Sequence, residues 1–140
     1  MLTSDGSVAE TVLIYSCAGG ANVGQLANAA AIKLDQEGLG MVFCLAAIGG
    51  QVESLVEKAK EAGATVVIDG CPVQCARLSL QHAGIEPDCH IVVTELDIEK
   101  NRNFELCEDE VQKVVEAVKS QCGEAGEGSS DASCSCCSDD

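Results

Sequence analysis

The sequence predicts one α/β domain: a four-stranded parallel sheet in a three-layer αβα arrangement. Two observations carry this. Short apolar runs at residues 11–16 (TVLIYS), 40–48 (GMVFCLAAI), 64–69 (ATVVID) and 90–95 (HIVVTE) read as strands buried on both faces. Each is followed by a segment with apolar residues at helical spacing, and alternation of this kind predicts parallel strands joined by right-handed crossovers. The length, 140 residues, suits a single domain.

The elements follow in order. The first strand stops at Cys17 and a Gly pair. Val23, Leu26, Ala27, Ala30 and Leu34 then mark a helix that Gly38 ends. The second strand closes at Gly49-Gly50, and Val52, Leu55, Val56 and Ala59 mark a helix stopped by Gly63. The third strand runs into Gly70-Cys71-Pro72, and a shorter helix is expected from about Pro72 to Ala83, since Pro suits a first helical turn. After the fourth strand, Cys107, Val111, Val114, Val115, Val118 and Cys122 line a last helix. The favoured strand order is 2-1-3-4, flavodoxin-like, with the Rossmann-like order 3-2-1-4 as the alternative. Residues 1–10 read as an N-terminal extension, 11–122 as the domain, and 123–140 as a disordered acidic, Cys-rich tail.

Charge narrows the partners. The net charge is -15, and the first 122 residues alone carry 18 acids against 8 bases. Such a surface repels nucleic acid and anionic membrane, so neither is an expected partner; a protein partner is left open. No run is long enough to span a bilayer, and MLTSDGSVAE lacks the basic start and apolar core of a signal peptide, so a cytoplasmic location is the default.

Ten cysteines in a reducing compartment point to metal or thiol chemistry and not to a disulfide scaffold. Cys17 ends the first strand, Cys44 lies in or at the end of the second, Cys71 follows the third, and Cys75 stands four residues on. In a parallel sheet those positions share one rim, where open α/β sheets bind ligands. Neighbouring strands lie about 4.8 Å apart. Zinc holds thiolate sulfurs at about 2.3 Å in a tetrahedron. Cys71 and Cys75 share a helix face if the helix starts at once. The expected ligands of a soft metal are therefore Cys17, Cys44, Cys71 and Cys75, with zinc as the metal and an iron–sulfur cluster as the alternative. Small buried thiols are the competing reading for any one of them.

The run Ile68-Asp69-Gly70-Cys71-Pro72-Val73-Gln74-Cys75-Ala76 resembles the central motif of the DGC-domain family, named for its Asp-Gly-Cys triplet. Tyr15-Ser16-Cys17-Ala18-Gly19-Gly20 and Cys44-Leu45-Ala46-Ala47-Ile48-Gly49-Gly50 are similar to its two earlier cysteine segments. The resemblance covers roughly residues 11–100. It implies zinc binding through the same four cysteines and no particular reaction.

Asp69 is expected either to accept N–H bonds beside the metal or to shape the turn before Gly70. His82 is expected to be an exposed helix residue, about 10 Å along the axis from Cys75. Cys89 and His90 are expected at the opposite edge in a local structural role, and Cys107 and Cys122 in the core. Gly19-Gly20-Ala21-Asn22-Val23-Gly24 fails the G-x-G-x-x-G fingerprint, and no P-loop follows. No catalytic constellation is assignable, so a non-enzyme is favoured. The alternatives are a thiol redox or sulfur- or metal-transfer protein using Cys71 and Cys75, and a small-anion or nucleotide module. Cys134, Cys136 and Cys137 form a soft-ligand cluster whose role is open.

Overall fold

The computed structural model describes residues 11–122. Both flanking segments assigned above, residues 1–10 and 123–140 with its three tail cysteines, lie outside the described residues. The strands are β1 (Val12–Ser16), β2 (Met41–Val42), β3 (Ala64–Asp69) and β4 (Cys89–Val92), all parallel in the order β2-β1-β3-β4. The helices are α1 (Asn22–Gln36), α2 (Leu45–Gly49), α3 (Glu53–Glu61), α4 (Cys75–His82) and α5 (Glu108–Gln121).

Side-chain alternation along the strands divides the core into two. Ile14, Val66 and Ile68 point to one face and pack with Val23, Leu26 and Ala30 of α1 and Val111, Val114 and Val118 of α5. Leu13, Tyr15 and Val67 point to the other and pack with Ile48 of α2, Ala59 of α3 and Leu80 of α4. Since successive strand residues face opposite sides, both faces must be covered, and the continuous apolar runs reflect that. The two-sided packing is the expected three-layer arrangement.

Three elements differ from the sequence expectation. The run at 40–48 is not one strand: β2 is only Met41–Val42, and Leu45–Gly49 is helical. A continuous apolar run does not by itself distinguish strand from helix, and Leu and Ala are strong helix formers. The chain turns after Phe43, whose N–H still reaches Ile14 O, at 2.9 Å. The fourth helix starts at Cys75 and not near Pro72, because Cys71–Gln74 first closes a turn (Gln74 N to Cys71 O, 3.0 Å) and Gln74 is left-handed, φ 59°. Cys71 and Cys75 therefore do not share a helix face. β4 ends at Val92, and Val93–Leu96 forms a 3₁₀ turn.

At the edge opposite to the strand ends, Cys89 and Cys122 form a disulfide, with Cα atoms 5.7 Å apart, tying the start of β4 to the end of α5. The local structural role expected of Cys89 is thus a covalent one, and its partner is the core residue Cys122. Cys122 is buried as expected, whereas Cys107 caps α5 on the surface and is not core. The bond closes a 33-residue separation, for which chain entropy predicts about 3–4 kcal/mol. In oxidising buffer, Cys122→Ser is expected to lose about that much in urea denaturation. The unmodified protein in reductant should match the variant. Equal midpoints for all samples would show that the bond does not staple the fold.

Candidate metal centre

The C-terminal ends of the strands form one rim. Cys17 directly follows β1, and its N–H continues the ladder to Ile68 O at 2.9 Å. Cys44 caps α2 just past β2. Cys71 stands two residues beyond the end of β3, and Cys75 opens α4. With β1 between β2 and β3, Cys17 takes the middle place. Cys17 and Cys71 are half-buried, while Cys44 and Cys75 are exposed.

The rim charges act on Cys75. Partial loss of water pushes the Cys75 thiol up, and charge on Cys17, Asp69 and Cys71 pushes it the same way, against its own helix-start N–H. Cys17 and Cys71 thus both act on Cys75. Burial of Tyr15, and after it charge on Cys44, pushes the Tyr15 hydroxyl up; that hydroxyl has no hydrogen-bond partner among the described residues. Two N–H groups already point at sulfur. Gly19 N–H donates to Cys17 Sγ at 3.3 Å, and Lys100 Nζ donates to Cys71 Sγ at 3.5 Å.

The donor set has the chemistry of a soft-metal site: thiols grouped at a rim with N–H donors aimed at their sulfurs. The geometry is open. Among the described residues, no three His, Cys, Asp or Glu side chains stand close enough together to hold a metal ion. Cys71 and Cys75 are separated by the Cys71–Gln74 turn.

Asp69 is fully buried at the end of β3. Its carboxylate accepts the backbone N–H groups of Ala76 (2.8 Å) and Arg77 (3.2 Å) in the first turn of α4. It also meets His90 Nε2 at 2.8 Å. A carboxylate only accepts, so Nε2 carries the hydrogen. No side chain caps α4 from within its own cap position. Asp69 supplies the missing acceptor from the neighbouring strand, at the helix end where negative charge is favoured. His90 stands near the start of β4, as expected, and its side chain reaches Asp69 at the end of β3. β4 register sets Asp69 against Val92, so His90, two residues back, is on the same sheet face and reaches Asp69 diagonally.

Three more residues escaped the sequence reading. Gln25 Nε2 donates to Ala18 O and Gly19 O, pinning the loop after Cys17. Asn22, buried at the start of α1, clamps the segment after the 3₁₀ turn. Its N–H donates to Asn101 O (2.9 Å), its Oδ1 accepts from Asn101 N (2.6 Å), and its Nδ2 donates to Glu99 O (2.9 Å). Lys100 lies between those two clamped residues. A buried Asn at a helix start was the available signal; its partners, 77–79 residues away, were not legible.

His82 is exposed, as expected, and lines a groove of about 480 Å³ between α3 and α4 that holds none of the four cysteines.

The sequence pattern of the DGC domain family matches residues 13–118. This chain belongs to the DGC domain family. The match takes in all four rim cysteines, Asp69 and Lys100 of the DGC-domain protein. A curated relative, anaerobic and virulence modulator AnvM of Pseudomonas aeruginosa, is 38% identical over 96 residues, covering 69% of this chain and 72% of its own. No solved structure matches. Among the described residues, no helix is long and apolar enough to cross a membrane.

Proposed function

We propose that this DGC-domain protein is a metal-binding regulatory protein that holds one soft metal ion, zinc, with Cys17, Cys71 and Cys75, and with Cys44 as fourth ligand. The observation that carries this is the delivery of Cys17, Cys44 and Cys71 to one rim by three separate strand–helix turns, with Cys75 opening the helix after the third. Closing the site requires the four thiols to draw together at the rim. Bound there, zinc would fix the three rim loops relative to one another.

A regulatory role is favoured over catalysis on two grounds. A site filled by four thiolates has no open position for substrate. The relative's name describes a modulator. A thiol-transfer role fits less well, because a closed four-thiolate site leaves no free thiolate to attack.

The test is elemental analysis of the full chain purified without added metal. About one equivalent of zinc is expected, falling below about half in Cys71→Ser. Coloured protein containing iron and sulfide would assign a cluster in place of zinc. A metal content that is negligible, or unaffected by Cys71→Ser, would reject the reading.

A further inference from the structure

We propose that Lys100 is the charge-compensating positioning residue of the thiol site, held in place by Asn22. This rests on the metal-binding reading above and extends it to residues outside the cysteine set.

A divalent ion with four thiolates carries two net negative charges. In a chain of net charge -15, that charge is opposed by the surrounding field. The Lys100 ammonium stands 3.5 Å from Cys71 Sγ, close enough for an N–H···S hydrogen bond that removes part of the excess charge.

The position of Lys100 is built and not incidental. Residues 99–109 are exposed, and 99–107 have no regular structure, so such a stretch would ordinarily wander. Here the backbone on both sides of Lys100 is fixed. Glu99 O and Asn101 N and O all bond to Asn22, and Arg102 Nη1 adds a bond to Gly20 O at 3.0 Å. Asn22 opens α1, five residues after Cys17. The clamp therefore references Lys100 to the same loop that carries a ligand thiol. Donors of this kind around a metal site are worth about 10–100-fold in affinity, and an exposed ammonium belongs at the lower end.

The experiment compares zinc affinity, by competition with a chromophoric chelator, in the unmodified full chain, Lys100→Met and Lys100→Arg. The sulfur-to-metal absorption band of the cobalt-loaded proteins is the second readout. Lys100→Met is expected to lose about tenfold in affinity and to shift the band. Lys100→Arg should stay within about threefold of the parent with its band in place. The loss should shrink in high salt, which screens an exposed charge and leaves a purely structural defect unchanged. Because Lys100 is exposed, these variants are expected to fold. Asn22→Ala should reproduce the loss, and adding Lys100→Met to it should cost little more. Affinity and band in Lys100→Met equal to those of the parent would overturn the assignment while leaving the metal site standing. A parent protein that takes up neither zinc nor cobalt would overturn both.

Discussion

Asp69→Ala is expected to cost about 3–5 kcal/mol of folding stability, the sum of several donors left without the charged acceptor they share. The carboxylate is fully buried and satisfies two backbone N–H groups and one imidazole N–H at once. Truncation leaves all three donors without an acceptor, and α4 has no other side-chain cap. Asp69→Asn should fall in between, because its amide keeps one acceptor oxygen but turns an N–H toward a donor. His90→Ala should be milder, at about 1–2 kcal/mol, since the helix bonds survive. Urea denaturation near neutral pH would order the three. If Asp69→Ala proved no worse than His90→Ala, the capping of α4 would not be what Asp69 contributes. The effect should also reach the rim: a frayed α4 start releases Cys75, so zinc retention is expected to fall along with stability.

How much of this was legible from the chain follows from what is local. Strand β3 was readable because ATVVID is short, β-branched and followed by Gly70. Helix α1 was readable because its buried residues keep helical spacing. Parallel order then put Cys17, Cys44 and Cys71 at one rim without any coordinates. The run at 40–48 misled because Ala and Leu continue an apolar stretch while changing its conformation. The start of α4 misled because Pro72 suits a helix start, whereas the left-handed Gln74 delays it. The Asp69–His90 contact is diagonal across a parallel pair, and register is a property of the folded sheet. Lys100 was hidden for a similar reason. Nothing in Glu99-Lys100-Asn101 distinguishes it from any exposed loop until Asn22 is seen to hold both neighbours.

Gly70→Ala is expected to destabilise the fold by about 2–3 kcal/mol and to loosen the thiol site with it. The three atoms nearest to a Cβ at Gly70 would all be backbone of α1: Gly24 N at 2.8 Å, Val23 C at 2.9 Å and Gly24 Cα at 3.0 Å. Gly24 is itself pressed on the loop after Cys17, where a Cβ would meet Gly19 N at 2.7 Å. The three glycines form a stack joining the end of β3, the first turn of α1 and the Cys17 loop. All three nearest atoms are main chain, so relief requires α1 to move off β3, disturbing the loop after Cys17 that Gly24 presses on. Gly24→Ala should behave in the same way, although Ala normally stabilises a helix position by up to about 1 kcal/mol. Gly49→Ala is the control: it lies in α2 with nothing within 4 Å of the added carbon, and should be neutral or slightly stabilising. Thermal denaturation and zinc retention measured on all three separate close backbone approach from glycine loss as such. If Gly70→Ala tracked Gly49→Ala, the stack would not be what sets the spacing of the two cysteine loops.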